Sequence, residues 1–189
     1  MRLVVGLGNP GAEYAWTRHN LGYQVVEALA ELWRIPLKQK RCDACWGQGL
    51  IGKEAVVLAQ PTTYMNLSGQ AVSCLLAYLK LSPAGLIVVH DDLDMPLGRI
   101  KIVERGGPGG HLGVVSIIDN LGTEDFFRVK LGIGRPPPRM APEKYVLSHF
   151  TFEEAESIVD FVVRGAQAVE ILLEDGLAAA QQRFHAPTP

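Results

Sequence analysis

The chain has 189 residues, 48% of them hydrophobic and 20% charged, with a net charge of −2. That length and apolar content suit one domain with one substantial core. The longest apolar runs, such as LIVV and FVV, are far too short to span a bilayer, and the net charge does not announce nucleic-acid binding.

Taken in chain order, RLVVGLGN reads as a buried strand, apolar on both faces. The segment GLGNPG spells G-x-G-x-x-G directly after it. A dinucleotide-binding loop would run straight into an amphipathic helix and meet an acid about 20 residues on. Here Pro10 removes one N–H, the following AEYAWTRHN is polar, and the nearest candidate for that acid, Glu27, falls within a helical pattern. The glycines therefore read as points of close approach, with Asn9 presented at the strand end. The start lacks the apolar run and small-residue site of a signal peptide, so a soluble cytoplasmic protein is expected.

NLGYQVVEALAELWRI predicts an amphipathic helix with Leu21, Val25, Ala28, Leu29, Leu32 and Trp33 along one stripe. Two strands follow, CWGQGLIG and EAVVLAQP. Cys42 and Cys45 form C-x-x-C, but the only other cysteine is Cys74. A structural zinc site needs two more ligands, and an odd, low count argues against a disulfide framework. Cys42 and Cys45 read as ordinary thiols. NLSGQAVSCLLAYLKL predicts a second helix, with Asn66 or Ser68 as N-cap.

GLIVVHDDLD is a strand ending in acids, and RIKIVER a strand with alternating basic residues. GGPGGHLG is a glycine-rich loop, VVSIIDNLG a short helix closed by Gly122, and FFRVKLGIGRPPP a strand with a stop. GRPPPRMAPEKY reads as a lid or a plain turn-rich connector, with the connector favoured. Thr151 with Glu154 three residues on is a capping-box pattern opening a long final helix, and LAAAQQRFH a last short one. Residues 99–144 carry 8 basic and 5 acidic side chains, and residues 145–189 carry 2 and 7. The bland reading of that asymmetry is a solvated surface. Alternating strands and helices predict an α/β domain over residues 1–189: a twisted, mixed, largely parallel sheet with helices on both faces.

In such sheets function gathers at the carboxyl ends of strands. Asn9, His19, Asn66, Asp91 and His111 fall at strand ends or loops. His19 with Asp91 suggests a general base and its orienting carboxylate. G-x-S-x-G is absent, so the base would activate water, with the two amides placing a carbonyl or holding an oxyanion. Each residue also has a plainer reading: Asp91 as an N-cap or turn residue, Asn66 as a cap, either histidine as a surface or capping group.

The motifs VVGLGNPG…Y…TRHN.G, P.T.MN.SG, HDDLD.P.G, GGPGGH.G and LGIGRP together resemble bacterial peptidyl-tRNA hydrolases. The likeness runs over nearly the whole chain. It implies an enzyme that cleaves the ester between an N-blocked peptide and the 3′-terminal ribose of tRNA, recycling prematurely released peptidyl-tRNA. It implies His19 as general base, Asp91 as its orienting carboxylate, and Asn9 as the residue that tells blocked from free aminoacyl groups. Tyr14, Tyr64, Asn66, His111 and Leu112 match substrate-contacting positions, and Lys101 and Lys130 the basic strand residues that meet tRNA phosphates. Arg105, Arg128 and Arg135 could extend that patch. No metal or organic cofactor is implied, and a monomer is. Two residues depart from the family's pattern: Leu112 stands where an Asn is common, and Val103 where a basic residue is. The runner-up is an RNA-binding relative of the same fold that has abandoned hydrolysis, against which the retained His19, Asp91, Asn9 and Asn66 argue.

Overall fold

The four apolar runs of the sequence become four parallel neighbours. A computed structural model describes residues 1–185. Its strands are β1 (Arg2–Gly6), β2 (Gln39–Arg41), β3 (Ala44–Ile51), β4 (Glu54–Pro61), β5 (Leu86–Asp92), β6 (Ile100–Val103) and β7 (Phe127–Gly132). They form one sheet in the order β2-β3-β4-β1-β5-β7-β6. β4, β1, β5 and β7 pair in parallel, while β2, β3 and β6 join antiparallel at the two flanks. This is the mixed, largely parallel sheet that the alternating pattern predicts.

Both faces are covered, which is why the central strands are apolar throughout. Val4, Leu58, Val89 and Val129 face α1 (Leu21–Leu32), α5 (Phe152–Glu174) and α6 (Gly176–Phe184). Leu3, Val5, Val57 and Val88 face α2 (Ser68–Leu79) and α3 (Leu112–Leu121). The stripe of α1 is narrower than its spacing suggests: Leu21, Val25 and Leu29 are fully buried, but Leu32 is 63% exposed.

The glycines near the N-terminus serve close packing. A Cβ on Gly6 would collide with the carbonyl of Gly22, and a Cβ on Gly22 with the carbonyl of Val89. The first turn of α1 therefore lies directly on β1 and β5 only because both positions lack a side chain. α5 opens as its sequence predicts: Glu154 N–H donates to Thr151 Oγ1 at 3.3 Å, and Thr151 N–H to Glu154 Oε2 at 2.8 Å. Gly122 closes α3 in the left-handed region, its N–H on the Ile118 carbonyl. The edge strand β6 is sealed by the C-terminal helix: Ile102 N–H donates to His185 Nε2 at 2.8 Å, and Gln181 Nε2 donates to Ile102 O at 3.0 Å.

Two sequence expectations need correction. Neither Asn66 nor Ser68 caps α2. Asn66 lies in a 3-10 turn, Met65–Leu67, that runs into the helix, and Ser68 Oγ donates back to Met65 O. The cysteines are not all ordinary thiols: Cys42 is disulfide-bonded to Cys74, leaving only Cys45 free. The bond ties the β2–β3 turn to α2 across 32 residues of chain, a pairing that the local C-x-x-C spacing does not reveal.

Candidate active site

The carboxyl ends of β1 and β5 lie side by side, and the loops leaving them close around one cleft. Its volume is about 400 Å³, and it is lined by Asn9, Tyr14, His19, Tyr64, Asn66, Asp91, His111 and Leu112 among others. Eight of the ten sequence-predicted site residues thus meet in one place.

His19 reaches the cleft on a 3-10 turn, Arg18–Asn20, that is pinned from both sides. Arg18 N–H donates to Ser148 O, and the Arg18 guanidinium, almost wholly buried, makes two hydrogen bonds to Glu154 at 3.1 and 2.6 Å. The same guanidinium stacks over Tyr145 and Phe150. The start of α5 therefore holds the histidine turn in place from the far end of the chain.

His19 Nδ1 lies 2.9 and 3.0 Å from the two carboxylate oxygens of Asp91, and His111 Nε2 lies 2.9 Å from Asp91 Oδ1. All three side chains are buried. The hydrogen bonds fix the tautomers. His111 is the N-cap of α3, and its Nδ1 accepts from the N–H groups of Gly113 and Val114 at 3.2 and 3.4 Å. Nδ1 of His111 is therefore bare, and Nε2–H donates to Asp91. Gly113 allows this approach, since a Cβ there would press on Met65, Leu7 and the His111 ring itself. His19 donates Nδ1–H to the same carboxylate, which leaves its Nε2 lone pair free as a proton acceptor.

Burial alone would push the Asp91 carboxyl up. The attraction and hydrogen bonds of His19 and His111 outweigh it, and the group is held well below the usual carboxylate range. Burial lowers His111 from its ordinary value more strongly than Asp91 raises it. Asp91 is thus a fixed anion between two imidazole N–H donors, and His111 stays neutral.

His19, Asp91 and His111 also have the composition of a metal site. The cap argues against one. A metal on His111 Nε2 would drive the proton to Nδ1, against two backbone N–H donors.

Asn9 is held as tightly. Its N–H donates to Asn20 Oδ1 at 2.9 Å, Asn20 Nδ2 donates to its carbonyl at 3.0 Å, and its own Oδ1 accepts from Met65 N–H at 2.8 Å. With Oδ1 occupied, the Asn9 Nδ2 donor is the part left for a ligand. Asn20 is a supporting residue that spacing could not identify, because its partner lies 11 residues away across a turn.

Met65, Leu93 and the Pro108–Gly110 turn also line the cleft with no sequence signal that marks them, and His90 and Asp92 join Asp91 there from the acid-ended strand GLIVVHDDLD. The proposed connector is a correction. It runs into α4 (Pro142–Val146), and Pro142, Glu143, Val146 and Leu147 form one wall of the cleft. Proline at the first helical position was the available signal.

The basic residues divide. Lys101 and Lys130 stand opposite each other on β6 and β7, outside the cleft lining. Lys101 is exposed, whereas Lys130 Nζ sits 2.5 Å from Asp92 Oδ2. Arg128 does not extend the patch. It is buried, and its guanidinium holds the carbonyls of Gly106, Gly107 and Glu124, bracing the glycine-rich loop that delivers His111. Arg105 is paired with Asp125 and Arg135 with Asp94, both at the surface.

Against known proteins, the family model for peptidyl-tRNA hydrolase matches residues 3–189. The peptidyl-tRNA hydrolase of Chloroflexus aggregans is 46% identical over 186 residues, covering 98% of this chain and 99% of that protein. That of Mycobacterium tuberculosis is 46% identical over 185 residues, covering 97% of each. The solved peptidyl-tRNA hydrolase of Acinetobacter baumannii superimposes with a TM-score of 0.93 at 35% identity, over 100% of this chain and 96% of that one. With the family model matching nearly the whole chain and relatives 46% identical over nearly their full length, the chain belongs to the peptidyl-tRNA hydrolase family.

Proposed function

We propose that this protein hydrolyses the ester between an N-blocked peptide and the 3′-terminal ribose of tRNA, with His19 as the general base. The observation that carries the reading is the His19 Nδ1–Asp91 pair at 2.9 Å beside an open cleft. Water attacks the ester carbon while His19 Nε2 takes its proton. The C–O bond to the ribose then breaks, and His19 Nε2–H returns the proton to O3′. Asp91 remains an anion throughout and steadies the imidazolium that forms. The amide of Asn66, a lining residue of the cleft, donates to the developing oxyanion.

Asn9 Nδ2 supplies selectivity. An acylated α-amine presents a carbonyl that this donor can meet. A free α-amine presents a positive charge and no acceptor, so the donor would stay unpaired in a buried place. Tyr14, Tyr64, His111 and Leu112 form the walls for peptide and terminal nucleotide. Lys101 and Lys130 meet phosphates of the acceptor stem, giving affinity with little sequence choice. Leu112 offers no hydrogen bond to the stem, so the lysine pair carries more of that grip.

The same reading covers residues 1–189 as one catalytic domain, acting on tRNA in the cytoplasm as a monomer. The family match over residues 3–189 supports its extent. The test is release of N-acetyl-amino acid from charged tRNA, with unblocked charged tRNA in parallel and His19→Ala as control. Cleavage of the blocked substrate alone, lost in the variant, is expected. Binding without cleavage would favour the non-catalytic relative.

A further inference from the structure

We propose that His90 is a positioning residue of this centre: its Nδ1–H, donated to the main-chain carbonyl of Asp91, fixes the strand end that carries the Asp91 carboxylate between His19 and His111. The inference rests on the esterase reading above.

The argument begins with what the position would otherwise hold. On β5, Leu86 and Val88 face α2 and α3, and His90 continues that row with only 2% exposure. An apolar residue would suit such a place. Instead an imidazole sits there, with Nδ1 2.7 Å from the Asp91 carbonyl oxygen. A carbonyl only accepts, so Nδ1 carries the proton and Nε2 is a bare acceptor. That Nε2 is buried and has no hydrogen-bond partner among the described residues. An unpaired buried acceptor is a standing cost, so the ring is kept for its other nitrogen.

The ring also packs edge-on to His111, with centroids 4.8 Å apart at 64°, and stands opposite Lys130 in the β5–β7 pairing. Burial first, and the neighbouring His111 second, lower His90 to about 3. It therefore remains a neutral donor at working pH. The peptide that His90 grips lies between Asp91, which holds both other histidines, and Asp92, which holds Lys130. Releasing it would let the carboxylate turn while leaving Tyr14, Tyr64, Asn66 and Leu112 in place along the cleft. Chemistry should suffer and binding should not.

Three variants separate the two nitrogens. Asn places an amide N–H close to where Nδ1 lies, Gln places one near Nε2, and Leu offers neither. With N-acetyl-aminoacyl-tRNA, His90→Leu and His90→Gln are expected to lower kcat by about tenfold to hundredfold with KM within about twofold. His90→Asn should keep kcat within about threefold of wild type. Wild type and His19→Ala run in the same assay report on the esterase reading independently. Nitrogen-15 NMR of the wild-type ring should show a protonated Nδ1 and a bare Nε2. Wild-type kcat in His90→Leu, equal damage in His90→Asn, an effect on KM alone, or the opposite tautomer would each overturn the proposal. So would failure of all three variants to fold, which would assign His90 to the core and not to the site.

Discussion

His19 Nδ1 and His111 Nε2 meet on one oxygen of Asp91, each at 2.9 Å from Oδ1. The two histidines are not equivalent. The His111 tautomer is locked by the helix it caps, whereas the His19 tautomer is set only through the carboxylate.

That difference fixes the outcome of Asp91→Asn. The carboxamide oxygen must serve His111, whose Nε2–H tautomer is set by Gly113 and Val114. The amide N–H2 then faces His19 Nδ1, at the place of an oxygen now 3.0 Å away. Two donors cannot face each other, so His19 shifts its proton to Nε2 and loses its free lone pair. Loss of kcat by about 10³-fold or more is expected, with KM little changed. Steady-state kinetics on N-acetyl-aminoacyl-tRNA check it, and activity within tenfold of wild type would sink the assignment.

Stability should fall on mild acidification. His90, lowered to about 3, and His111, also lowered, are neutral in the folded protein. In the unfolded chain each takes a proton as pH falls through about 6.5. Below that pH the unfolded state binds more protons, so stability is present above it and is lost as pH falls. His90 contributes about 1.4 kcal/mol per pH unit below that pH, and His111 adds in the same direction. The depressed Asp91 carboxyl adds in the same direction only below about pH 4. Urea unfolding at several pH values measures this. His90→Asn should make the slope shallower, and a midpoint independent of pH would refute the neutral assignment.

Much of this was legible in the sequence, for identifiable reasons. The parallel strands announce themselves as apolar runs because both sheet faces are covered. The α5 start is readable because its capping box is local. Asp91 and Asn9 stand out because they are polar groups where apolar strands end, and His19 because it sits in the polar loop between β1 and α1. What stayed hidden depends on distance through the fold. Asn20 brackets Asn9 across a turn, Arg18 reaches Glu154 at the other end of the chain, and neither spacing has a period. Arg128 read as a phosphate contact because its strand face is shared with Lys130. The glycine-rich loop folds over it and takes its hydrogen bonds.

Asn9→Asp tests selectivity. Its Oδ1 can still accept from Met65 N–H, so the local fold survives, but the donor toward the ligand becomes an anion. A carboxylate welcomes a free α-ammonium and repels an acyl carbonyl. The preference for blocked over free aminoacyl-tRNA should fall by about 100-fold. Parallel turnover of both substrates measures it, and an unchanged ratio would remove Asn9 from the selectivity role.

Lys101 and Lys130 should read phosphate charge. Each contact to a duplex stem contributes a slope of about 0.9 in log affinity against log salt. Lys101→Ala should lower that slope by about one contact. Lys130→Ala should lower it less, because Lys130 first has to leave Asp92. Filter binding of tRNA from low to moderate salt checks both, and slopes equal to wild type would place the tRNA elsewhere.

The Cys42–Cys74 bond should be worth measurable stability without touching the chemistry. It closes 32 residues of chain, between the β2–β3 turn and α2. In the chain-entropy account a loop of that length restricts the unfolded state by about 3–4 kcal/mol. Cys42 and Asp43 both sit at positive φ in the turn, a conformation that non-glycine residues adopt at a cost, so the cross-link also holds a turn that its own residues favour poorly. Cys74 is exposed, which leaves the bond open to reductants. Cys74→Ser, or reduction of the wild type, should lower the unfolding free energy by roughly 2–4 kcal/mol. The turn lies well away from His19 and Asp91 in the sheet order, so kcat at low temperature should be unchanged. An unchanged unfolding midpoint on reduction would show that the two thiols do not bond in solution.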